Sequence, residues 1–132
     1  MNTFKGVISE IKSTRELSII YVHVGTDTFK SIIINNSNHD PGLVKGQDIK
    51  VMFKESEVFL GKGWKHKISL QNQLFGKVSK IKQGEIIAEV TIETEIGTIV
   101  SIITMDAVNN LKLSQQDEVT AMIKTNEILL SH

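Results

Sequence analysis

Ala88-Glu89-Val90-Thr91-Ile92-Glu93 alternates apolar with polar or charged side chains, and Ile20-Tyr21-Val22-His23-Val24 keeps the same phase 70 positions earlier. A period of two turns one face of each stretch toward a core and the other toward water, the mark of a half-buried β-strand. The offset holds far beyond these strands. Pairing residues 1–62 with 71–132, without a gap, gives 14 identities in 62 pairs, where average residue usage gives roughly four by chance. Asn2/Asn72, Gly6/Gly76, Ser9/Ser79, Ser31/Ser101, Met52/Met122 and Lys54/Lys124 are among them, and pairs such as Val22/Ile92 and Ile49/Val119 are conservative. The chain is therefore a tandem duplication. Its modules are 1–62 and 68–132, joined by a linker at about 61–70.

Further β-rich runs lie at 4–12, 29–34, 49–54 and 57–60, each with a counterpart in the second copy. Gly46-Gln47-Asp48 and Gln115-Gln116-Asp117 read as turns, and Thr14-Arg15 and Gln83-Gly84 as hairpin connections. One short helix fits each module. In the second it spans 104–111, opening on a Thr cap with Asp106 in its first turn. In the first, Pro41-Gly42 stops the equivalent stretch 35–40 after a single turn. Five short strands and a small helix in about sixty residues predict an all-β fold, two tandem OB-like Greek-key barrels. Modules this small bury little core, so pairing of the copies and homo-oligomerisation are expected.

Composition narrows the function. Fifteen Lys+Arg balance 15 Asp+Glu, which argues against broad contact with a phosphate backbone. With aromatics at 5% of the chain, stacking platforms for bases are scarce, and nucleic acid is not an expected partner. No apolar run reaches the length of a membrane helix, and the N-terminus lacks the apolar core of a signal peptide, so a cytoplasmic protein without a membrane partner is expected. Cysteine is absent, which removes thiol nucleophiles and thiolate metal sites. His23, His39, His66 and His132 are scattered, and no HExxH, GxSxG, GxGxxG or P-loop pattern occurs. An enzyme is not expected, nor is any direct protein–metal ligand.

What remains is a set of hydrogen-bond donors: Ser69, Asn72, Thr104 and Lys124 around the second copy, and Asn2, Ser37 and Lys54 in the first. Lys54 and Lys124 occupy the same strand position. Each reads either as a solvated strand lysine or as a charge with a job common to both copies. Thr104 reads as a simple N-cap or as part of an anion site at a helix start. The linker, with Lys62, Lys65, Lys67, the lone Trp64 and no acid, is either a solvated connector or an electropositive strand beside an anion.

Ile68-Ser69-Leu70-Gln71-Asn72-Gln73-Leu74-Phe75-Gly76-Lys77-Val78 resembles the opening motif of the molbindin (Mop) modules of the TOBE superfamily. The likeness continues through Ala88-Glu89-Val90 and Ser101-Ile102-Ile103-Thr104, and closes on Asp117-Glu118-Val119-Thr120-Ala121-Met122-Ile123-Lys124. The resemblance implies OB-like barrels that assemble into small oligomers, a trimer for two-module chains, and bind molybdate or tungstate at module interfaces. It assigns oxyanion contacts to Ser69, the main chain of Leu70, Gln71, Asn72, Thr104 and Lys124, and in the first copy to Asn2, Ser37 and Lys54. Gln71 stands where the motif has Arg, removing a fixed charge and a forked donor. Ala107 and Ile34 replace a hydroxyl residue in one copy each. Neither copy owns a full donor set, so a complete site needs a contribution from each copy or subunit.

These readings together imply reversible capture of a tetrahedral oxyanion for intracellular storage or homeostasis. A second reading is an oxyanion-responsive sensor, or an accessory module for a transporter or regulator.

Overall fold

A computed structural model describes residues 1–35 and 42–132. Ser37, and most of the single helical turn expected at 35–40, lie outside the described residues. The first copy contributes β1 (Asn2–Ser13), β2 (Leu17–Val24), β3 (Asp27–Ile34), β4 (Asp48–Phe53) and β5 (Phe59–Lys62). The second contributes β6 (Asn72–Gln83), β7 (Ile87–Thr94), β8 (Gly97–Thr104), α1 (Met105–Leu111), β9 (Glu118–Ile123) and β10 (Leu129–Ser131). No helix among the described residues is long and apolar enough to cross a membrane.

Alternation decides the faces. Ile20, Val22 and Val24 of β2, and Ala88, Val90 and Ile92 of β7, are buried, while His23 and Glu93 between them are exposed. The long first strand of each copy must curl to serve a barrel. It does so at a bulge, where the register on the following strand slips between Ile8 and Glu10 and again between Val78 and Lys80. The extra residue is the repeated serine, Ser9 or Ser79, and the slip bends the strand and tightens its twist. Nearby, a Cβ on Gly6 would lie 2.5 Å from the His23 carbonyl oxygen, and one on Gly76 2.5 Å from that of Glu93. Only glycine lets the strands approach so closely there.

Each repeat gives up its last strand. The two five-stranded sheets run β10-β4-β1-β2-β3 and β5-β9-β6-β7-β8, so β5 of the first copy edges the second sheet and β10 of the second copy edges the first. Leu129 and Leu130 pair with Met52 and Val51, and Phe59 and Leu60 pair with Met122 and Ala121. Sequence repeats and sheets therefore have different boundaries. The strand expected at 57–60 starts later, at Phe59, because a 3₁₀ turn at Glu55–Glu57 first swings the chain across to the other sheet. Thr125–Glu127 is the matching turn before β10.

Polar side chains lock the crossing points in matched pairs. Ser31 Oγ donates to the Ile128 carbonyl at 2.9 Å, and Ser101 Oγ to that of Val58 at 2.8 Å. Asn2 donates to the Val100 carbonyl and accepts from the Val100 N–H, both at 2.9 Å. Asn72 does the same with Lys30, at 2.9 and 2.7 Å. Beneath these joints one continuous apolar cluster spans both copies. The Phe4 ring stacks there on Phe29 and on Phe53, which meet each other at a tilt, with all three centroid distances 5.9 to 6.1 Å.

Candidate functional site

The end of β9 and the start of β6 meet at Asn72↔Ile123. Lys124 follows at once, and Ser69-Leu70-Gln71 leads into β6 on the other side. Five of the expected site residues thus converge on one corner of the second sheet. The corresponding corner of the first sheet has Asn2 opposite Phe53, with Lys54 next. Both lysines are exposed and, among the described residues, neither ammonium has a protein partner. Ser69 and Gln71 are likewise exposed, with side chains unbonded among the described residues. Each asparagine amide spends one N–H on its strand partner, and the second N–H of each stays uncommitted.

Thr104 stands elsewhere. It ends β8 opposite Ile87, beside the far end of β6 from Asn72. Its Oγ1 accepts from the Ala107 N–H at 3.0 Å and caps α1, as one of its two sequence readings expected. Its own sheet does not bring it to Lys124. The strand that carries it is instead the one clasped by Asn2, at Val100, and β8 packs along the Glu55–Glu57 turn after Lys54. The joint between copies thus ties the strand that carries Thr104 to the strand that carries Asn2, while Thr104 itself stays four residues beyond the clasp. Ser37 lies outside the described residues.

The linker is a folded strap. Gln73 Nε2 donates to the carbonyls of Leu70 at 2.7 Å and His66 at 3.0 Å, and its Oε1 accepts from the His66 N–H. Leu70 therefore keeps only its N–H to offer a guest. Trp64 leans on Phe75 at 5.4 Å, with the Lys65 ammonium 4.9 Å from its ring centre. Lys62 pairs with Asp117 at 3.4 Å. The Ser114 backbone N–H, with Lys62, holds the Asp117 carboxyl below the ordinary carboxylate range. Of the three linker lysines, only Lys67 has no partner among the described residues.

Sequence reasoning missed the clasp made by Asn2, Asn72, Ser31 and Ser101, although all four belong to identical repeat pairs. It missed Gln73 as well, which the quoted opening motif contained. No group of three or more His, Cys, Asp or Glu residues able to hold a metal occurs among the described residues. The corner offers donors: hydroxyls, amide and backbone N–H groups and an ammonium. Such a set suits a ligand whose oxygens only accept.

Intertwined OB-like barrels with donors gathered where strands cross define a class of paired-barrel binding module. The TOBE domain model matches residues 68–130. Over 64 residues the chain is 44% identical to molybdenum-pterin-binding protein 1 of Clostridium pasteurianum, a match covering 48% of this chain and 94% of that protein. Molybdenum-pterin-binding protein 3 of the same organism is 39% identical over an equal span. The crystal structure of the cytoplasmic molybdate-binding protein ModG, with molybdate bound, superposes with a TM-score of 0.91 at 28% identity, covering 98% of this chain and 94% of ModG. The chain belongs to the molbindin (Mop) family, with TOBE-type modules in tandem.

Proposed function

We propose that the protein binds molybdate or tungstate reversibly and without covalent bonds, as a cytoplasmic store that buffers the ion. The observation that carries this reading is the likeness to molybdate-bound ModG over nearly the whole of both chains. Stripping water from a dianion is costly unless donors replace the hydration shell and positive charge compensates. Lys54 and Lys124 supply the charge. Ser69, the Leu70 N–H, Gln71, Asn72, Asn2, Thr104 and Ser37 supply directional bonds from the two copies. Discrimination against sulfate would come from fitting the larger ion, and a lining dominated by donors would favour a fully ionised oxyanion over protonated phosphate. The relatives carry the names of binding proteins, in keeping with capture rather than catalysis. The duplicated halves 1–62 and 68–132 act as one unit, and a cyclic trimer of chains completes the sites.

Isothermal titration of the full chain with molybdate, tungstate and sulfate tests this. Molybdate and tungstate should bind at least tenfold tighter than sulfate. Equal, weak heats from all three ions would refute the proposal.

A further inference from the structure

The two corners are equivalent by sequence offset, yet their next residue differs in charge. Lys124 is followed by Thr125, and Lys54 by Glu55. Thr125 is half-buried and, among the described residues, its hydroxyl has no protein partner, so it joins Ser69, Gln71 and Lys124 as a free donor. Glu55 instead faces the Met1 ammonium at 3.0 Å and accepts its hydrogen bond. Its own backbone N–H, and then that ammonium, hold the Glu55 carboxyl below the ordinary range. The carboxylate is therefore ionised at neutral pH. Met1 is the counterpart of Gln71, so the donor entering the first corner is already spent on an acid. Glu57 and Glu127 are common to both corners and create no difference.

We infer that the two oxyanion corners are unequal: the Lys124–Thr125 corner is the tight site for a tetrahedral dianion, and Glu55 keeps the Lys54 corner weak. This rests on the function proposed above and adds which residue decides occupancy. A fixed negative charge beside a dianion is repulsive at any dielectric, and here it also holds the Met1 ammonium that would otherwise be free to face the dianion. Neutral Thr125 offers a hydrogen in the same place.

The reciprocal exchange tests it on the full chain, with molybdate as the probe in calorimetry and equilibrium dialysis. Glu55→Thr should release the Met1 ammonium and add a tight site, raising bound molybdate from one to two ions per chain. Thr125→Glu should weaken the tight site on the order of tenfold or more, the scale of one unit-charge contact at partial exposure. Melting curves and circular dichroism on both variants separate lost binding from lost folding; a variant that does not fold is replaced by Glu55→Gln or Thr125→Asp. Two equal tight sites in the wild type, unmoved by either exchange, would overturn the inference while leaving molybdate binding intact. A wild type that binds no molybdate would overturn the function itself, and this inference with it.

Discussion

Replacing Asn72 by alanine removes two hydrogen bonds at one stroke, the Nδ2–H to the Lys30 carbonyl and the Lys30 N–H to Oδ1. Asn72 is only 2% exposed, so the backbone groups it leaves behind do not regain full hydration. Each of the two backbone groups left unsatisfied costs ~1–3 kcal/mol. Lys30 is itself half-buried and water reaches part of the gap, so the lower half of that range applies and the loss is about 3 kcal/mol. For a chain of this length that lowers the melting temperature by roughly 10 °C. Thermal and urea unfolding, followed by circular dichroism, measure it. Asn72→Asp refines the test: an ionised carboxylate still accepts from the Lys30 N–H but repels the carbonyl, so the variant should recover stability in acid as its proton returns. A loss below 1 kcal/mol for Asn72→Ala would show that water replaces the clasp and that the barrels are held by apolar contact alone.

Gly76→Ala places a methyl group 2.5 Å from the Glu93 oxygen and 2.7 Å from Ile92 Cγ2; it should cost about 3 kcal/mol or prevent folding, and a melt within 2 °C of wild type would contradict the close approach. Burial, and then the Glu95 carboxylate, hold the Asp27 carboxyl above its ordinary range. Folding therefore favours its protonated form, and stability from this group is lost as pH rises through the folded-state pKa. Asp27→Asn should accordingly melt higher than wild type at neutral pH, with the gain shrinking in acid. A gain that persists unchanged below the carboxylate range would refute that cause.

Most of the barrel scaffold was legible because its signals are local. Alternation along 88–93 and 20–24 fixed which side chains face inward, and Thr104 announced the cap of α1. The exchange of end strands was not legible, for a physical reason. Leu60 and Leu130 are identical, and Phe59 and Leu129 are both large and apolar, so each strand fits its own barrel and the other's about equally. The turns at Glu55–Glu57 and Thr125–Glu127 carry each strand across to the other barrel, and side-chain bonds between copies hold it there. Where Thr104 stands relative to Lys124 was not legible for a related reason: the two share a copy in sequence but lie at opposite ends of their sheet, a separation that strand curvature and topology set and no local signal carries.

The exchange also accounts for where the donors gather. Inside a β-ladder nearly every backbone N–H and carbonyl is already paired, and inward side chains are apolar, so a ladder has little to offer a guest rich in oxygen. Donors escape this commitment where the chain leaves one ladder and crosses to the next. In this fold that happens after Lys54 and after Lys124, the points at which each copy hands its last strand to the other. Asn2 and Asn72 stand at those same points, each with one N–H spent on the joint and one to spare. The contacts that couple the barrels and the groups proposed to face an oxyanion are therefore drawn from the same few residues, and duplication followed by exchange is what places them side by side.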